Sequence, residues 1–357
     1  MKFQSKIFMI FSLAIQAYAI DFEVLEESHT YCPLERFPLI KEQMEEFSSS
    51  KPYEGLKIFH NIPLTMCTVL KVETLLKAGA DVTVSAINAV PADPKAIDIL
   101  RRAGVCLDLE KKLDKEYDIY LDCCAELVNV KPPKLGTIEL TQTGTRIYNK
   151  AALKYPVISV DDSHLKNLET IGTGYGCVNA LKELLKRDLL DEKFVVFGYG
   201  KVGQGIVNAL KKSTKNITVI DLKRIERVNS LAIEEHDAIL ALLKEAFCVI
   251  TATGKMGCIS AYFEKEDLEG AILANMGAED EFGPKFSPED VLCNKHPINF
   301  SISEPTPLEY LDPIFFAHNK AIDFLISKKA SNGYQPLDKD FASFVIEKWQ
   351  RIHSLNR

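Results

Sequence analysis

Gly198, Gly200 and Gly203 stand at the spacing G-x-G-x-x-G in "FVVFGYGKVGQGIVNAL", between an apolar strand pattern and an apolar helix pattern. Each glycine has its own task. Gly198 permits a tight turn after the strand, Gly200 lets backbone approach a pyrophosphate with no Cβ in the way, and Gly203 lets the helix lie close to the sheet. An anion there meets the free N–H groups and positive dipole end of the helix opened by Lys201 and Val202. The next strand pattern, "NITVIDL", ends near Asp221, about 20 residues beyond the loop, where a carboxylate accepts from adenosine ribose hydroxyls. A carboxylate repels a 2′-phosphate, so the expected cofactor is NAD rather than NADP, a preference that Lys223 and Arg224 weaken slightly. "TATG" (251–254) and "NMG" (275–277) follow buried apolar runs, at strand ends where such sheets bind ligands. Thr251, Thr253, Gly254 and Asn275 are therefore candidate contacts to the nicotinamide half. There is no CxxC pair, and no metal site is expected.

The elements that must position these residues follow from periodicity. Helix patterns at 34–49, 69–79 and 94–104 alternate with strand patterns at 56–62, 81–88, 105–109, 117–123 and 156–162. A helix over 176–189 leads to the glycine loop, and strand–helix alternation resumes through 277. Helical patterns at 313–329 and 339–353 close the chain. The expected fold is α/β: two doubly wound Rossmann-like domains with a C-terminal helical closure. The expected boundaries are 20–174 for a substrate-type domain, 175–310 for the NAD-binding domain, and 311–357 for helices returning to the first.

The 357 residues suffice for two domains, and 26% charged with 46% apolar residues is ordinary for a globular protein. A net charge of −7 argues against nucleic acid or an anionic membrane as partner. The first 19 residues have Lys2 and Lys6, an apolar run from Ile7 and Ala17-Tyr18-Ala19, the order of a secretory signal peptide cleaved after Ala19. The expected location is exported, periplasmic or secreted, if that signal operates, and cytoplasmic otherwise. Nine irregularly spaced cysteines remain, most in apolar contexts suited to small core residues; this sits awkwardly with export.

The order of motifs resembles the S-adenosylhomocysteine hydrolase (adenosylhomocysteinase) family from about residue 21 to 327. The resemblance rests on "SSSKPYEGLKI", "VLKVETLLKAGADVTVSAINAVPADPKAI", "PVISVDDSHLK", "GYGCVNAL" and "GYGKVGQGIVNAL". It implies tightly held NAD in an internal redox cycle at a nucleoside 3′-hydroxyl, hinge closure of two domains, and a homo-oligomer. By resemblance, Thr141, Gln142 and Thr143 lie against the nicotinamide, Lys166 assists hydride transfer, and Cys177 lies near the nicotinamide. Asp162 and His60 join Lys166 and Cys177 as catalytic candidates. The resemblance breaks in the elimination half. The family's acids fall at Cys123 and Leu140, its histidines at Pro63, Ala278 and Asp312, and two extra residues precede "YGC".

Three functions stay open. The first is redox chemistry at a secondary alcohol of a small, nucleoside-like substrate. The second is a hydrolase with relocated acid–base groups, and the third a non-catalytic NAD-binding regulator. In the first, Lys166 polarises the alcohol, or deprotonates it if burial depresses its pKa.

Overall fold

The computed structural model describes residues 19–355, so the expected signal peptide lies, apart from Ala19, outside the described residues. The chain opens with α1 (Phe22–Glu26) and α2 (Pro38–Ser50). Strands β1 (Lys57–Asn61), β2 (Asp81–Ser85) and β3 (Cys106–Leu107) then alternate with α3 (Met66–Lys77) and α4 (Pro94–Arg102). β4 (Ile119–Asp122), β5 (Gly136–Glu139), α5 (Gln142–Tyr148) and β6 (Pro156–Ser159) complete the first unit. The long helix α6 (Lys166–Leu185) crosses to the second, which comprises β7 (Phe194–Phe197), α7 (Lys201–Leu210), β8 (Ile217–Asp221), β9 (Ser230–Ala232), α8 (His236–Leu243), β10 (Cys248–Thr251) and β11 (Ile272–Asn275). The chain returns through α9 (Leu308–Lys320), α10 (Ile322–Ile326), β12 (Gly333–Pro336) and α11 (Lys339–Leu355).

The strands form two parallel sheets, ordered β12-β6-β5-β4-β1-β2-β3 and β11-β10-β7-β8-β9. Their central strands are buried on both faces, as short apolar runs such as Phe194–Phe197 require. Strand order reverses between β1 and β4 in one sheet and between β7 and β10 in the other. Crevices open at the carboxyl ends of strands beside such reversals.

Five elements escaped the sequence reading: α1, β5, β9, β12 and α5. All are short, and β12 is an edge strand carrying glycine and proline, so neither length nor alternation marks them. Helix α6 starts ten residues earlier than expected, at Lys166 rather than Gly176. Its first half is poor in apolar periodicity but rich in glycine, and tertiary contact decides it. A Cβ on Gly174 would lie 2.1 Å from the carbonyl oxygen of Gly205, and one on Gly176 1.9 Å from that of Pro305. Only glycine lets α6 lie this close to α7 and to the segment before α9.

The return of the chain to the first unit is specific. Asp312 of α9 accepts from the backbone N–H groups of Leu39 and Ile40, both at 2.9 Å, and so caps the start of α2. Tyr53 donates to Asp323 at 2.9 Å, and Trp349 to the Glu309 carbonyl at 2.5 Å. Cys32 and Cys67, both buried, form a disulfide with 5.5 Å between their Cα atoms, tying the segment before α2 to the first turn of α3. Cys123, Cys177 and Cys248 are buried free thiols, in line with cysteine as a core residue.

Candidate active site

The turn after β7 realises the three glycine roles separately. Gly198 has φ +92°, and a Cβ there would meet the Ala252 carbonyl oxygen at 2.5 Å. A Cβ on Gly203 would lie 2.0 Å from the Gly198 carbonyl oxygen, so the helix packs against its own strand. At Gly200 a Cβ would meet nothing within 4 Å: this is the open cradle that an approaching diphosphate needs. Asp221 ends β8, and its carboxylate accepts from the N–H groups of Tyr199 and Leu222, both at 2.7 Å. Those bonds pin it beside the loop, on the wall of a cavity of about 300 Å³ lined also by Ile220, Ile233 and Tyr262. Carboxylate, open glycine and apolar walls together fit an adenosine diphosphate half.

A second cavity, of about 250 Å³, lies between the two sheets. Thr141, Gln142, Thr143, Lys166 and Glu169 line it from one side, Gly200, Lys201, Val202, Thr253 and Gly254 from the other. Lys166, the first residue of α6, donates to the Leu140 carbonyl at 2.6 Å and forms an ion pair with Glu169 one turn on. Burial opposes its charge, but the carboxylates of Glu169 and Asp161 outweigh it and hold the ammonium above the ordinary lysine range. These charges favour a cationic Lys166 over the depressed, neutral lysine that the sequence left open. Lys201 crosses the gap to the Asp161 carbonyl at 2.5 Å and its carboxylate at 3.1 Å, bridging the units.

Residues 173–282 match the family described as S-adenosyl-L-homocysteine hydrolase, NAD binding domain. The chain is also 29% identical over 302 residues to an adenosylhomocysteinase of Thermococcus kodakarensis, covering 76% of this chain and 69% of that protein. It is 27% identical over 276 residues to an S-inosyl-L-homocysteine hydrolase of Methanopyrus kandleri, covering 69% and 65%. This chain is a divergent relative of the adenosylhomocysteinase family. Its second unit is an NAD-binding domain. The matches span about two thirds of these relatives' own length. Among solved structures, the dipicolinate synthase A chain of Bacillus subtilis aligns with TM-score 0.43 at 11% identity, over 78% of this chain and 100% of that one.

Where adenosylhomocysteinases are expected to carry an acid, this relative has a cysteine loop held from beneath by two buried carboxylates. Asp122 accepts from the N–H groups of Cys123 at 2.8 Å and Leu127 at 3.0 Å, and from the Tyr148 hydroxyl at 2.7 Å. Glu139 accepts from the N–H groups of Cys124 and Ala125, both at 3.1 Å, and from the Thr141 hydroxyl at 2.6 Å. Burial pushes the Asp122 carboxyl up to about 6; burial and the charge of Asp122 push Glu139 up to about 8. These N–H bonds hold Cys124 and Ala125 in the left-handed region, at φ +62° and +54°. Cys123 and Cys124 line the cleft with sulfurs 3.8 Å apart. The hydrogen bond with Cys124 and burial raise the Cys123 thiol well above its ordinary range, so it does not replace a carboxylate base. Thr141 caps α5 through the Gly144 N–H, and a Cβ on Gly144 would collide with the Glu139 carboxyl.

Five predicted residues lie outside the cleft. His60 is wholly buried on β1, 3.1 Å from the ammonium nitrogen of Lys71. Burial, Lys71 and His318 lower its pKa well below the ordinary histidine value, and it faces α3 rather than the cavity. Cys177 is packed in the core of the second unit, where burial raises its thiol. Asp162 accepts from the Tyr334 hydroxyl at 2.8 Å on the surface; its neighbour Asp161 is the one that lines the cleft. Thr251 and Asn275 are register partners on β10 and β11. The threonine donates to the asparagine at 2.9 Å, and the Asn275 amide donates to three backbone carbonyls, of Gly277, Glu279 and Lys295. They fasten the strand ends to the loops beside them, and neither lines the cleft.

The sequence reading missed Glu281, Asp161 and Asn299. Glu281, buried, accepts from the N–H groups of Thr253 at 2.8 Å and Gly254 at 2.6 Å and so shapes the "TATG" turn. Asn299 lines the cleft with its amide nitrogen committed to the Pro305 carbonyl at 3.0 Å and its buried amide oxygen free to accept. No local spacing marks Glu281 or Asp161, because their partners Thr253 and Lys201 lie 28 and 40 residues away in sequence.

Proposed function

We propose that this chain is an NAD-dependent enzyme acting on the secondary alcohol of a small, nucleoside-like substrate. The observation that carries the reading is the position of Lys166. A buried ammonium, ion-paired to Glu169, shares one cleft with the glycine-loop residues Gly200 and Val202. NAD, when bound, supplies a hydride acceptor. Lys166 donates a hydrogen bond to the alcohol oxygen and favours the negative charge that develops there. Glu169 lies where it can accept the proton that leaves the hydroxyl, and Asp161 keeps the lysine charged. Apolar residues, among them Pro63, Val90 and Phe300, close the remaining wall and exclude water. On this reading the elimination chemistry is lost, because sulfur at Cys123 and the apolar side chain of Leu140 leave no carboxylate where the resemblance expects one.

A hydrolase with relocated groups is the second reading, favoured by Glu169 in the cleft and by the names of the relatives above. One assay separates the readings. The purified protein is given NAD with nucleosides and hydroxy acids, and reduced cofactor is followed by absorbance and released thiol by a thiol reagent. Reduced cofactor without thiol is expected. Thiol release from a thioether nucleoside supports the hydrolase, and silence in both channels, with NAD bound, leaves a non-catalytic regulator.

We further propose that the protein matures in an oxidising compartment. The buried Cys32–Cys67 bond favours this, since such bonds persist chiefly outside the cytosol. Intact-protein mass spectrometry is expected to show a chain beginning at Ile20, with this pair resistant to alkylation until reduced. A retained Met1 with both thiols free would place it in the cytoplasm instead.

A further inference from the structure

The two cavities share Arg146, Gly200, Ala252 and Thr253, which form a waist between them. A dinucleotide with its ribose on Asp221 and its nicotinamide toward Lys166 must thread its two phosphates through that waist. One wall is the glycine loop, with open space at Gly200 and the first N–H groups of the ten-residue helix α7. The facing wall is Arg146, from α5 of the first unit. Its guanidinium reaches over the turn after β10: a Cβ on Gly254 would stand 3.4 Å from its Nη1. The residue is exposed, and among the described residues no carboxylate pairs with it. Of the other cations nearby, Lys201 is already held by Asp161, and Lys255 lines the cavity beside Asp221 but not the cleft of Lys166. A guanidinium at this waist therefore faces the one place where two negative charges must pass.

We propose that Arg146 is a phosphate clamp: it grips the cofactor's diphosphate from the substrate-side unit, opposite the glycine loop. The geometry suits a planar fork, which binds phosphate oxygens in pairs. Because loop and arginine belong to different units, the bound diphosphate joins them, and cofactor binding holds the cleft closed. This inference rests on NAD occupying the glycine loop, and the experiment keeps the two apart.

Calorimetry on the nucleotide-stripped full chain would compare NAD, ADP-ribose and adenosine, for wild type and for Arg146→Ala, Arg146→Lys and Asp221→Ala. Arg146→Ala is expected to weaken NAD and ADP-ribose by about 10- to 100-fold, the range of a charge-assisted hydrogen-bond pair, and to leave adenosine unchanged. Arg146→Lys should recover part of the loss, as a point charge without the fork. Asp221→Ala should weaken all three ligands. Wild-type binding of NAD with equal binding by Arg146→Ala overturns the clamp alone, as does an equal loss for adenosine. Wild-type protein that binds no NAD overturns the cofactor reading, and the clamp with it.

Discussion

Replacing Lys166 by alanine is expected to lower formation of reduced cofactor by about 10²–10⁴-fold while NAD affinity changes little. The side chain's polar contacts, Leu140 and Glu169, all belong to the first unit, so the cofactor's seat on the glycine loop and Asp221 is left intact. What disappears is the buried positive charge that opposes the developing alkoxide. Removal also leaves the part-buried Glu169 without its ion-pair partner, while Asp161 keeps Lys201, so Lys166→Arg is the better control for folding. The arginine variant would keep the charge but not the compact ammonium that fits between the Leu140 carbonyl and Glu169, and should restore stability without full turnover. The fall should appear in kcat rather than KM. Lys166→Ala turning over at the wild-type rate would remove the lysine from the mechanism and with it the main support for the redox reading.

The second large effect concerns stability. Lys71 is wholly buried on α3, and among the described residues no carboxylate pairs with it; its polar neighbour is the His60 ring nitrogen at 3.1 Å. Burial depresses its pKa well below the ordinary lysine value, and burial likewise depresses His60 and His318, the histidines that face it. The folded state therefore binds fewer protons here than the unfolded chain. Such a group contributes its stability above the unfolded pKa, near 10.4, and that stability is lost as pH falls toward the depressed value. Folding at pH 7 must therefore either remove the lysine's proton or bury its charge, and both cost free energy. Lys71→Met removes that cost, keeps the volume, and orphans one His60 nitrogen at about 1–3 kcal/mol. The expected balance is a gain in stability at pH 7 that shrinks as pH approaches about 10. Urea unfolding of both proteins across this range measures it. A methionine variant less stable than wild type at pH 7, or an advantage that grows with pH, would contradict the sign.

These residues show where a linear reading stops. Lys71 reads as one polar position in an amphipathic helix, yet His60 of β1 meets its side chain and Asn319 of α9 its carbonyl, so the lysine ends in the core. His60 fell under suspicion for its nearness in sequence to a family histidine, but strand register turns it toward α3. Asp161 and Asp162 are adjacent and chemically identical; one lines the cleft and the other meets Tyr334 on β12, because successive residues leaving a strand point to opposite sides. Thr251 and Asn275 were placed at the correct strand ends, and pairing between β10 and β11 turned them inward.

The features that the chain settles unaided are those written within one turn or one strand–helix step. The G-x-G-x-x-G loop, its partner Asp221 and the alternation of strands and helices need no distant contact, since glycine's missing Cβ and short-range periodicity act locally. What tertiary structure decided was every pairing across long separations: Glu281 under the "TATG" turn, Glu139 under the cysteine loop, Lys201 on Asp161, Arg146 over Gly254, and Cys32 on Cys67. Those contacts depend on sheet order and on the route by which the chain returns, and residue spacing carries neither.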